Sequence, residues 1–148
     1  ASPVSPYVNR IISKYWNANG FSIKEARAVM YTAGNLGAFL QFNVAGTDKV
    51  GWYSQAALTS SSYTDVKTTG ANYFSLAGDS GIGRHFYVNQ SYNGCPSDFG
   101  WFVVNRGSAC PWETTRGTPL RLLYSNQKTN MNWLGTIGIA DVFAVFVR

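Results

Sequence analysis

Gly37-Ala38-Phe39-Leu40-Gln41-Phe42-Asn43 is the stretch on which the fold turns. Ala38, Leu40 and Phe42 alternate with Phe39, Gln41 and Asn43, the period-two pattern of a strand that turns one face to a core. Ala45-Gly46-Thr47-Asp48 then turns the chain, and Val50 to Tyr53 reads as the return strand of a hairpin. Thr59–Thr69 is polar and reads as a surface loop. Further strand candidates are Asn72–Ala77, Arg84–Asn89, Gly100–Asn105, Leu120–Ser125 and Val142–Val147. Turn chemistry separates several of them, at Gly78-Asp79-Ser80-Gly81, Tyr92-Asn93-Gly94 and Asn105-Arg106-Gly107. Short strands at fairly even spacing predict an antiparallel β-sandwich or barrel. Phe102-Val103-Val104 and Val142–Val147 are apolar on both faces, so both are expected in the core of their sheets rather than at an edge.

Upstream of Gly37 the apolar period is helical. Ser5-Pro6 is a helix start, with Val8, Ile11, Ile12 and Tyr15 on one stripe and Asn19-Gly20 as the stop. Ser22-Ile23-Lys24-Glu25 matches a capping box, and Ala26, Val29 and Met30 continue an apolar stripe to Gly34. The expected class is α+β, mainly β: one domain over residues 1–148, with a short N-terminal helical pair over about 6–33 and an antiparallel β region over about 37–148.

Composition narrows the class. The 148 residues are 45% hydrophobic and 16% aromatic, with a net charge of +5, which excludes a disordered chain. Only 13% are charged, against roughly 25% in an ordinary domain, and a coiled coil would be far richer in Glu and Lys. No apolar run reaches the roughly 18 residues of a membrane-spanning helix. The two cysteines, Cys95 and Cys110, form no C-x-x-C pair, and the single histidine cannot complete a zinc set with them. A disulfide between them would close a loop of about 15 residues around the Gly100–Asn105 strand; two free buried thiols are the alternative. Asn89-Gln90-Ser91 is an N-glycosylation sequon. The start at Ala1 suits a mature chain after signal-peptide removal. Together these features predict a secreted, extracellular protein.

Chemistry is sparsely provided for. Gly78-Asp79-Ser80-Gly81 resembles the stretch around the nucleophile of chymotrypsin-like serine proteases, a likeness of four residues that implies a catalytic serine. That chemistry needs a base and an orienting carboxylate, and the only histidine, His85, lies five residues after Ser80. An ordinary turn accounts for the stretch. Asp98 and Glu113 flank the Cys95–Cys110 hairpin and are the pair that a glycosidase would use; Asp79 and Asp98 are the acids that a calcium site assembled from distant loops would use. Neither set is complete, so no catalytic residue, metal or cofactor is expected. The twelve basic residues are dispersed, which argues against a nucleic-acid partner.

The aromatics divide. Most Phe lie on strands and serve the core, whereas Trp52, Tyr92, Trp112 and Trp133 lie in or beside turns with polar neighbours. The Tyr92-Asn93-Gly94-Cys95 and Cys110-Pro111-Trp112-Glu113 segments, tied by the disulfide, would form a rigid loop pair; packing of Trp112 on the bridge is the competing reading. Trp112, Tyr92, Asn93, Asp98, Trp52 and Trp133 are therefore the expected ligand-binding residues, and the expected function is lectin-like recognition of a glycan or extracellular matrix ligand. The alternative is a membrane-active β-protein that uses the amphipathic Pro6–Trp16 segment on a membrane surface. An amphipathic N-terminal helix on a basic, aromatic-rich β domain is broadly similar in architecture to the actinoporin cytolysins, a likeness that transfers no residue.

Overall fold

The computed structural model describes Trp16 and residues 22–148. Glu25–Thr32 is strand β1, and Asn35–Asn43 is β2, the strand read from Gly37-Asn43. The second helix expected from Ser22 to Gly34 is therefore corrected to a strand; the first helix and the amphipathic Pro6–Trp16 segment lie outside the described residues, except for Trp16. The apolar residues of β1 satisfy either period, and its two hydrogen-bonded neighbours decide the matter. Glu25 does not cap a helix; its carboxylate is engaged by Arg148 and by Gln41. Ala33 and Gly34 both adopt positive φ, 51° and 78°, the backbone of a two-residue hairpin turn. Gly34, which looks like a helix stop, is half of that turn.

Two antiparallel sheets follow. Leu58–Ser61 is β3, and Val142–Val147, here named β10, completes a four-stranded sheet in the order β10-β1-β2-β3. Val50 to Tyr53 is not the return strand of β2; β3, which overlaps the start of the stretch expected to be loop, takes that place. The second sheet has Tyr73–Ser75 (β4), Arg84–Ser91 (β5), Phe99–Asn105 (β6), Arg121–Tyr124 (β7) and Gly138–Ala140 (β9) in that spatial order, with Met131–Asn132 (β8) paired to β6. Among the described residues, helix is confined to one four-residue turn, Pro111–Thr114 (α1), and two single 3-10 turns at Ser80–Ile82 and Cys95–Ser97. β10 is at the end of its sheet among the described residues, with Val142 and Phe146 exposed, so it is an edge strand rather than the core strand expected.

The sheets share one apolar cluster. Ala28, Met30, Leu40 and Phe42 from the first meet Val88, Phe102, Val104 and Leu122 from the second. Phe143 of β10 touches the Phe86 and Phe102 rings, at 4.7 and 6.0 Å between centroids. Trp52 and Tyr53 close one end of this cluster, where Trp16 stacks on Trp52 at 5.8 Å. The other face of β5, β6 and β7 is covered by a second cluster of Tyr87, Val103, Leu123, Trp112 and Trp133. Phe102-Val103-Val104 is thus buried on both faces, with the short helix α1, β8 and the loops beside them as the outer cover.

Candidate functional site: a disulfide-locked loop pair around Arg84

β5 begins with Arg84, whose side chain is fully buried. A buried guanidinium is tolerated only where its charge and its donors are both matched. Arg84 Nε donates to Glu113 Oε1 at 2.8 Å, Nη1 lies 3.6 Å from Asp98 Oδ2, and Nη2 is 3.3 Å from Cys110 Sγ. Its flat faces are matched too: the guanidinium carbon lies 4.4 Å from the Trp112 ring centroid and 5.1 Å from that of Tyr92. Trp133 stacks in turn on Trp112, at 5.5 Å and 24°.

The sequence builds this arrangement from four short segments. Cys110-Pro111-Trp112-Glu113 opens α1 with Pro in the first turn, and Glu113 Oε2 takes the Cys110 backbone N–H at 2.7 Å. That return bond fixes the Glu113 carboxylate toward Arg84. Asn105, at the end of β6, donates to the same Glu113 Oε1 at 2.6 Å, and its own oxygen accepts from Arg121 Nη1. Asp98, just before β6, accepts the Trp112 indole N–H at 3.1 Å. The Cys95–Cys110 disulfide is formed, with Cα atoms 5.4 Å apart, and pins the first loop to α1.

The two carboxylates diverge in protonation. Burial pushes both upward. At Asp98 it prevails over the Trp112 and Arg84 bonds and the group is raised above the ordinary Asp range. At Glu113 the Arg84 bond, the Cys110 N–H and Asn105 outweigh it, and the group is lowered. Asp98 Oδ1 is buried without a hydrogen-bond partner among the described residues. Both acids are fully buried and converge on the Arg84 guanidinium. Gly78-Asp79-Ser80-Gly81 is a turn, with the Asp79 carbonyl accepting the Arg84 N–H, and His85 Nδ1 lies against the Ala77 carbonyl.

Of the expected binding residues, Trp112, Trp133, Asp98, Tyr92 and Asn93 belong to this one region, and Trp52 belongs to the inter-sheet core. Trp112, Trp133, Trp52 and Asp98 are buried; Tyr92, 38% exposed, and Asn93 are the members that reach solvent. The Asn89 sequon is corrected on the same ground. Asn89 is fully buried, its amide is bonded to the Ser91 carbonyl, and its oxygen accepts the Trp133 indole at 2.8 Å, which leaves no room for a glycan. Arg84, the centre of the cluster, was invisible as such in the sequence, where it reads only as a basic residue at a strand start. The one available signal was the pair of acids flanking the cysteines. Compared with known proteins, the chain matches no family model, no curated protein and no solved structure.

Proposed function

We propose that this chain is a secreted, extracellular recognition module that binds a glycan at the rim of the disulfide-locked loop pair. In this reading the two sheets form a β-sandwich that serves as a rigid platform, and Tyr92 and Asn93 are the contact residues. The observation that carries it is the stack under Tyr92. The ring is seated over Arg84, Arg84 over Trp112 and Trp112 over Trp133, so an exposed aromatic is held by a buried, cross-linked frame. A preorganised ring loses little freedom on binding, and the apolar C–H face of a sugar is a fitting partner for it. Trp112, Trp133 and Asp98 act as the frame rather than as contacts. The disulfide suits an oxidising compartment, which supports secretion.

Glycan-array binding with competition by free sugar tests the reading. Wild type is expected to bind at least one glycan class, and Tyr92→Ala to weaken that binding by about tenfold, equivalent to roughly 1.4 kcal/mol. A blank array would sink the carbohydrate assignment. Undiminished binding by Tyr92→Ala would remove the loop pair as the site.

A further inference from the structure

The outer face of the four-stranded sheet carries a second feature, remote in sequence from the loop pair. Phe146 of β10, Arg27 of β1 and Gln41 of β2 stand in one cross-strand row. Glu25 and Arg148 lie at the end of it, and these five side chains line an open groove of about 200 Å³. Phe146 is 54% exposed. Glu25 is spoken for: Arg148 and Gln41 both donate to it, and Arg148 holds its carboxyl below the ordinary Glu range. Arg27 is different. Its guanidinium carbon lies over the Phe39 ring, 4.0 Å from the centroid, and no hydrogen bond or ion pair joins it to any described residue; its Nε is buried and unpartnered.

We propose that this groove is a binding site for an acidic sugar, a hexuronate unit of a polysaccharide. Arg148 neutralises Glu25, so Arg27 supplies the groove's uncompensated positive charge. A guanidinium already stacked on an aromatic face is oriented to take a carboxylate through its edge, the strongest of its bonding modes. Phe146, directly opposite Arg27 on the neighbouring strand, offers the apolar face against which a pyranose ring packs. Gln41 donates its amide to Glu25 and keeps its side-chain oxygen as an acceptor for a ring hydroxyl. The site sits on the opposite sheet from Arg84 and from the loop that carries Tyr92 after β5, so it stands or falls independently of the loop-pair reading.

Titration calorimetry of the whole chain with a uronate trisaccharide, and with the same trisaccharide as its methyl ester, tests this. The ester keeps the rings and removes the charge. Wild type is expected to bind the uronate and to bind the ester at least about tenfold more weakly, with the uronate affinity falling as salt rises. Arg27→Gln and Phe146→Ala should each lose about tenfold, Arg27→Lys should retain part of the affinity, and Lys67→Gln, which removes an exposed charge outside the groove, should leave it unchanged. Phe146→Ala alters an exposed side chain and keeps the test sound should Arg27→Gln fail to fold. Equal affinity for acid and ester, no uronate binding, or full binding by a folded Arg27→Gln variant would overturn the site. Binding that appears only on phosphatidylserine vesicles would overturn it too, and would identify a membrane surface as the occupant.

Discussion

Glu113 decides whether the Arg84 cluster holds together. It gives one carboxylate to three donors, Arg84 Nε, Asn105 Nδ2 and the Cys110 N–H. Removing one partner of a buried ion pair strands the other charge, so Glu113→Gln should cost about 3–5 kcal/mol in urea denaturation at neutral pH. The pH dependence has a definite sign. The Glu113 pKa is lower in the folded state, so its ionised form favours the native state above the ordinary value of 4.5, and that contribution is lost as pH falls through the folded value. Asp98 is shifted the other way: its contribution favours the native state below the ordinary value of 3.8 and is lost as pH rises through the folded value. Urea midpoints measured from about pH 3 to about pH 7 should therefore show a flatter acid limb for Glu113→Gln and a steeper one for Asp98→Asn. Trp112→Ala should cost about 3–5 kcal/mol, because it removes the ring between Arg84 and Trp133. The sequence singles out Trp112, Trp133 and Asp98 by their polar, turn-rich neighbours, but their partners are distant in the chain: Trp112 bonds Asp98, Trp133 bonds Asn89, and Asp98 faces Arg84. Polar context marks a residue with a hydrogen bond to satisfy. It does not say whether the partner is solvent or a buried carboxylate.

At the scale of the element, the two ends of the chain were unequally legible. Arg84–Asn89, Gly100–Asn105 and Val142–Val147 lie within or coincide with β5, β6 and β10 because uninterrupted β-branched and aromatic runs leave little choice. Ala26, Val29 and Met30 fit a helical stripe as well as a strand buried on both faces, and only the pairing with β2 and β10 resolves them. Local sequence carries no information about those neighbours. The Ala33-Gly34 turn carries no Asn-Gly or Asp-Gly signal, and Ala at positive φ is uncommon, so local sequence does not mark it. The disulfide is the element-scale staple of the loop pair, closing a separation of 15 residues. Breaking it by Cys95→Ser with Cys110→Ser should lower stability by roughly 3 kcal/mol in the chain-entropy picture. Gly107, after β6, tests the close packing of that loop. A Cβ there would strike the Ile82 carbonyl and lie 2.7 Å from Glu113 Oε1, so Gly107→Ala should lower the thermal midpoint even though Ala is the smallest available change.

For the whole molecule, the two sheets carry different burdens. The six-stranded sheet is covered on both faces, and its outer cover is the loop pair whose exposed tip is Tyr92-Asn93. The four-stranded sheet leaves part of its outer face open, with Phe146 and Val142 exposed on an edge strand. Core and surface thus separate the aromatics more sharply than composition does: of the four turn-adjacent rings, three are buried and Tyr92 alone is presented. The low charge content takes on meaning at this scale as well. Two of the seven acids, Asp98 and Glu113, are spent on one interior cation, which leaves few for chemistry at the surface. Recognition by a preorganised rim is the central claim, and backbone amide chemical-shift mapping during titration with an array-positive glycan tests it most directly. The account predicts shifts concentrated on residues 91–97, saturating with a single affinity that Tyr92→Ala reduces. Saturable shifts elsewhere with residues 91–97 unmoved would contradict it.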